Sequence, residues 1–213
     1  MRAPIRVHII TPQLTPHEQF LRDVIDGALQ TIGKKLPLHE LDIVVVHSPL
    51  GVIPETGTGA QTAHSGLMYI YLDIQRPRFR EEITEDVPLT LAHELHHAAR
   101  GLFVSTTAPL LAAVVAEGLA DHFTGEVFGT KPPPWSRALR SEEIEPLLQR
   151  IRDVLDKNDD RFSWLYGSDE ANVPKWTGYT LGYEIVRRYL TVHLGATATS
   201  LVHEPTESFR PFV

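Results

Sequence analysis

The stretch Pro109–Phe128, PLLAAVVAEGLADHFTGEVF, most restricts what this chain can become. Wound as a helix it is apolar almost all round from Leu110 to Ala120, so it has to lie inside a core. No stretch of the chain approaches the roughly 18 consecutive apolar residues of a membrane span, so that core is expected to be the protein's own. A chain of 213 residues, 42% hydrophobic and 22% charged, has the size and composition of an ordinary globular protein that surrounds such a helix. Two of its carboxylates, Glu117 and Asp121, lie four apart and therefore on one face. A buried, unpaired carboxylate costs on the order of several kcal/mol or neutralises itself. Each therefore asks for a partner. Solvent, Arg100, Lys131 or His122 is one set of partners; a metal ion for Glu117 and an imidazole N–H for Asp121 is another.

The preceding helix is expected to open at Asp86-Val87-Pro88 and to run through LAHELHHAAR, residues 91–100, to Gly101. At about 100° per residue, with His93 at zero, His97 falls at about 40°, Glu94 at about 100° and His96 at about 300°. Leu91, Leu95, Ala98, Ala99 and Leu102 form an apolar back near about 190°. His93 and His97 thus share a polar front, one turn apart, with Glu94 on its flank. This is the HExxH arrangement: two neutral imidazoles suited to Zn²⁺, and a carboxylate placed to take a proton from a water that the zinc acidifies. Pairing His93 with His96 instead would leave Glu94 about 130° from the pair's midpoint. His96 is therefore assigned a structural or supporting role on the helix shoulder.

The rest of the chain reads as α+β, a small mixed sheet backed by helices with a helical C-terminal part. Strands are expected at Ile5–Ile10, Leu41–His47 and Leu67–Asp73; in the last, Leu67, Tyr69 and Tyr71 face one way and Met68, Ile70 and Leu72 the other. Thr15-Pro16-His17-Glu18 fits a capping box opening a helix that ends at Gly33. Residues 48–66, punctuated by glycine and proline, read as a long surface loop. Thr130–Trp135 (TKPPPW) is a stiff proline linker and the candidate internal boundary. Residues 1–213 are thus expected to form a single catalytic domain, with 1–129 holding the sheet and both donor helices and 136–213 a helical C-terminal subdomain. That subdomain should hold an amphipathic helix over about 142–157, a polar loop with Trp164 and Trp176, and a last helix over about 178–194. The absence of cysteine removes disulfides, thiolate metal sites and a cysteine nucleophile. A net charge of −7 without a run of Lys or Arg argues against nucleic-acid and anionic-membrane partners. No signal-peptide-like apolar run opens the chain, which makes a cytoplasmic protein the default expectation.

His93-Glu94-Leu95-His96-His97, followed after nineteen residues by Glu117-Gly118-Leu119-Ala120-Asp121, resembles the gluzincin (thermolysin-like) zinc peptidases. The closing Trp176-Thr-Gly-Tyr-Thr-Leu-Gly-Tyr183 is similar to that of small bacterial predicted Zn-dependent proteases within that clan. The metzincin pattern fails, because Arg100 and Phe103 stand where its glycine and third histidine belong. The resemblance implies a zincin-like fold, Zn²⁺ on His93, His97 and Glu117, Glu94 as general base, and Asp121 orienting a ligand histidine. It also implies a Tyr or His from the C-terminal part that stabilises the oxyanion; Tyr179 and Tyr183, on one face of the last helix, are the candidates, with core packing as their other reading. Zincins bind an extended peptide against an edge strand. Leu67–Asp73, with Tyr69 and Tyr71, is the candidate because it directly precedes the active-site helix, unless it is an interior strand. The implied function is a zinc metallopeptidase acting on peptide or protein substrates. The alternative is a zinc-containing binding or regulatory module of the same fold without significant proteolysis.

Overall fold

The computed structural model describes residues 5–101, 107–158 and 160–213. Contacts within the chain group into two units, residues 1–104 and 105–213. The proline segment expected as the internal boundary lies inside the second unit.

The first unit holds a four-stranded sheet and two long helices. Its elements are β1 (Ile5–Ile9), α1 (Glu18–Ile32), β2 (Leu41–His47), β3 (Thr58–His64), β4 (Leu67–Leu72) and α2 (Phe79–Arg100). The strand order is β1-β2-β4-β3, with β1, β2 and β4 parallel and β3 antiparallel to β4. Alternation fixes the faces: Ile43 and Val45 of β2 and Met68, Ile70 and Leu72 of β4 are fully buried. On α1, Leu21, Ile25, Ala28 and Ile32 recur at helical spacing and are buried. α1 packs against α2, and α2 against β3.

Three expectations fail here. Residues 48–66 are not one long loop, since β3 lies within them. Its residues, TGAQTAH, include no Val, Ile, Phe, Tyr or Trp, and two threonines are its only strand signal. Small side chains are required there: a Cβ on Gly59 would lie 2.0 Å from the Gly51 carbonyl oxygen. The helix expected at Asp86 starts at Phe79, so Pro88 sits inside it rather than at its start. Phe79, Ile83, Val87, Leu91 and Leu95 form a buried stripe at spacings of four that carries the helix through the proline, and Glu81 and Glu82 suit the positive end of its dipole. The capping box at Thr15 does not form. Pro12–His17 is a 3₁₀ turn, and α1 begins at Glu18 without a side-chain cap.

The second unit is helical: α3 (Leu110–Phe128), α4 (Ser141–Ile151), α5 (Arg161–Tyr166) and α6 (Thr177–Val192). α3 is the buried helix its composition requires, with Leu110, Leu111, Val114, Val115 and Leu119 in the core. It packs closely on α6 through glycines: a Cβ on Gly118 would lie 2.1 Å from the Gly182 carbonyl oxygen, and one on Gly182 would lie 2.1 Å from that of Val114. The polar loop expected around Trp164 contains α5, and Trp164 is buried. The chain ends in a 3₁₀ turn, Thr206–Phe212, that sends Phe209 and Val213 into the same core. Among the described residues no helix is long and apolar enough to cross a membrane.

Candidate metal centre

α2 presents His93 and His97 one turn apart, with Nε2 atoms 3.0 Å apart and ring planes at 76°. In the first unit these two imidazoles offer two nitrogen donors on one face of α2; in the second, Glu117 is a partly buried carboxylate on α3. Donors at about 2.0–2.2 Å from a tetrahedral zinc stand roughly 3–4 Å apart, so the two imidazoles on α2 fit that ion. His96 points away from this front and is fully buried.

Glu94 is fixed by the sheet. Its Oε2 accepts the Thr62 backbone N–H at 2.7 Å and lies 2.7 Å from the Thr62 hydroxyl, which also lies 3.1 Å from the Glu94 carbonyl. One turn earlier, Thr90 and Thr58 share a hydroxyl contact at 3.1 Å. β3 therefore both borders α2 and orients its carboxylate. Thr62 escaped the sequence reading because nothing local marks it; its role depends on a strand that itself was not recognised.

Tyr69 and Tyr71 do not lie on an edge strand. β2 and β3 occupy the two sides of β4, so among the described residues β3, which packs against α2, is the edge strand on that side of the sheet. The expectation rested on β4 preceding α2 in sequence, and the antiparallel hairpin with β3 inverts that inference. The two tyrosine rings stack at 6.3 Å. Burial raises the Tyr71 hydroxyl pKa, and Tyr69 and the charge of Glu94 push it the same way.

In the second unit, Asp121 is 3% exposed and its Oδ2 accepts the Trp135 indole N–H at 3.0 Å and the Ser136 hydroxyl. Both donors come from the end of the proline segment and were missed, because a linker is not where a partner for a buried helix is sought. Tyr179 and Tyr183 share a helix but not an environment. Burial raises the Tyr179 hydroxyl pKa well above the ordinary value, and the charge of Glu117 is the next cause. Tyr183 instead stacks on His122 at 3.8 Å, and its carbonyl accepts the His122 Nε2–H. His193 is occupied elsewhere, its Nδ1–H donating to the Tyr189 carbonyl at 2.9 Å.

These features define an α+β chain whose α2 carries two histidines one turn apart with a glutamate beside them. The chain belongs to the family described as predicted Zn-dependent protease (DUF2268), whose model matches residues 21–210. It is 31% identical to the uncharacterized protein YjaZ of Bacillus subtilis over 133 residues, 58% of this chain and 49% of that one. It is 29% identical over 121 residues to YjfC of the same organism, covering 50% of this chain and 40% of the relative. The chain thus spans about half the length of these curated relatives or less. Among solved structures it is similar to an aminopeptidase N family protein from Idiomarina loihiensis, at 11% identity and a TM-score of 0.41, over 91% of this chain and 37% of that one.

Proposed function

We propose that the protein is a zinc-dependent peptidase in which His93, His97 and Glu117 hold the metal and Glu94 is the general base. The observation that carries this reading is the His93–His97 pair one turn apart on α2 with Glu94 directly following His93, in a chain of a family described as predicted Zn-dependent protease. Bound zinc would polarise the scissile carbonyl and bring the pKa of a coordinated water toward about 7. Glu94 then takes the water's proton at its carboxylate and delivers it to the leaving amine. Thr62 holds that carboxylate by two donors, which limits its rotation while it waits.

The edge of β3 supports binding of an extended peptide through main-chain pairing. The Thr58 carbonyl accepts from Ile53 N–H, and the Thr62 N–H is taken by Glu94, so both residues turn their backbone groups away from β4. Ala60 shares their parity and turns its own N–H and C=O to the same side, where a substrate strand would pair. Tyr179 is the better of the two tyrosines for the developing oxyanion, because the Tyr183 ring is stacked on His122 whereas Tyr179 lies beside Tyr166 and Trp176.

Glu94→Gln tests the mechanism. The variant should bind one zinc per chain, as the wild type does, and lose at least about a thousandfold in hydrolysis of a peptide library that chelator also abolishes. Full activity in this variant would overturn the assignment.

A further inference from the structure

The catalytic reading leaves the proline segment without a role, yet its end grips the one fully buried carboxylate on α3. The Trp135 indole N–H and the Ser136 hydroxyl converge on a single oxygen of Asp121, Oδ2, and Ser136 is itself 4% exposed. The clamp is anchored in turn. The Thr180 hydroxyl on α6 donates to the Trp135 carbonyl at 2.7 Å and accepts the Ala138 N–H at 3.1 Å, and Thr180 is 3% exposed. Pro132, Pro133 and Pro134 approach this point with their φ angles locked. A buffered, rotating carboxylate would need none of this. Two donors on one oxygen fix the carboxyl torsion and so set the direction of Oδ1. Asp121 lies one turn beyond Glu117, on the same face of α3.

We propose that Trp135 and Ser136 are positioning residues for the metal centre, acting through Asp121, and that the TKPPPW segment is the scaffold that presents them. The inference rests on the zinc set proposed above. Groups that orient a metal's ligands from behind typically change metal affinity about 10- to 100-fold when removed. A clamp one step further out should fall at the lower end of that range.

The test is metal affinity of the full chain, measured for zinc by chelator competition and for Co²⁺ by its visible absorption bands. Trp135→Phe keeps an aromatic ring near Trp176 and removes the N–H together with the rest of the pyrrole ring; Ser136→Ala removes only the hydroxyl. Each should weaken zinc about tenfold and alter the Co²⁺ spectrum, and Ser136→Thr should restore both. A merely structural role would lower the melting temperature of the metal-free protein and leave affinity and spectrum as they were; that result overturns the proposal. Where Ser136→Ala does not fold, Trp135→Phe alone decides between the two outcomes. A wild-type chain that takes up neither metal would refute the zinc site itself, whereas wild-type and variant chains that bind equally well would refute only the clamp.

Discussion

The two helices that carry the proposed metal donors, α2 and α3, solve opposite problems. α2 carries its functional groups on a polar front, and the sequence spacing alone orients them. His93 and His97 need only the helical repeat, and Glu94 needs one neighbour, Thr62. α3 has no polar front. Its carboxylates sit in an otherwise apolar helix, and their placement depends on what packs around it: a glycine contact with α6 and a clamp from the proline segment. A motif read from five residues is therefore robust on α2, whereas on α3 the same chemistry is held by tertiary structure.

That contrast is most easily broken at Gly118. A methyl group there would meet the Gly182 carbonyl oxygen at 2.1 Å, its carbon at 2.3 Å and the Tyr183 nitrogen at 2.9 Å, all backbone. Nothing flexible can yield, so α3 and α6 must separate. Gly118→Ala should cost about 3 kcal/mol or more in urea unfolding, at the upper end for overpacking. Gly182→Ala should cost nearly as much, and the double variant less than the sum, because one separation relieves both clashes. Losses below about 1 kcal/mol would show that α3 is not held by this contact.

Thr62 supplies the matching test on α2. Thr62→Val keeps the shape and removes the hydroxyl, leaving the Glu94 carboxylate with the backbone N–H as its remaining donor from that residue. The expected cost is about 2 kcal/mol, the range for a lost hydrogen bond to a charged group, with zinc affinity unchanged. A fall in metal binding comparable to that from Trp135→Phe would mean that α2 depends on its surroundings as much as α3 does.

Legibility follows the same division. His93, Glu94 and His97 could be placed on one helix face because a 3.6-residue repeat is a local property. The burial of α3 was equally legible, since eleven apolar-rich positions leave no wet face. The parallel strands β1, β2 and β4 announced themselves by β-branched and aromatic residues. β3 did not, because the close approach of Gly51 demands small side chains that carry little strand signal. With β3 unseen, the open edge was assigned to β4, and Thr62 could not be found. Trp135 and Ser136 were hidden for a related reason: a proline-rich segment looks like a spacer until its end is seen to hold a buried carboxylate. The start of α2 was misplaced because a proline in the first turn is the commoner arrangement, while here the stripe from Phe79 to Leu95 overrides it.

The smallest effect belongs to the stretch of α2 where that misreading occurred. Asp86 is half-buried within the helix, and its pKa is pushed up to about 6, chiefly by burial, then by the charges of Glu85 and Glu82, with Arg76 opposing. Its unfolded value is near 3.8. The folded chain therefore holds a proton that the unfolded chain has released between these two values, so stability falls as pH rises from about 4 to about 6 and stays lower above that. Asp86→Asn removes the charge without changing the shape. It should be neutral at pH 4 and stabilising at pH 7 by about 1 kcal/mol, after allowing for solvent screening of a partly exposed group. Urea unfolding of both chains at the two pH values measures it. A gain of the same size at pH 4 would assign the effect to helix propensity rather than to a buried charge.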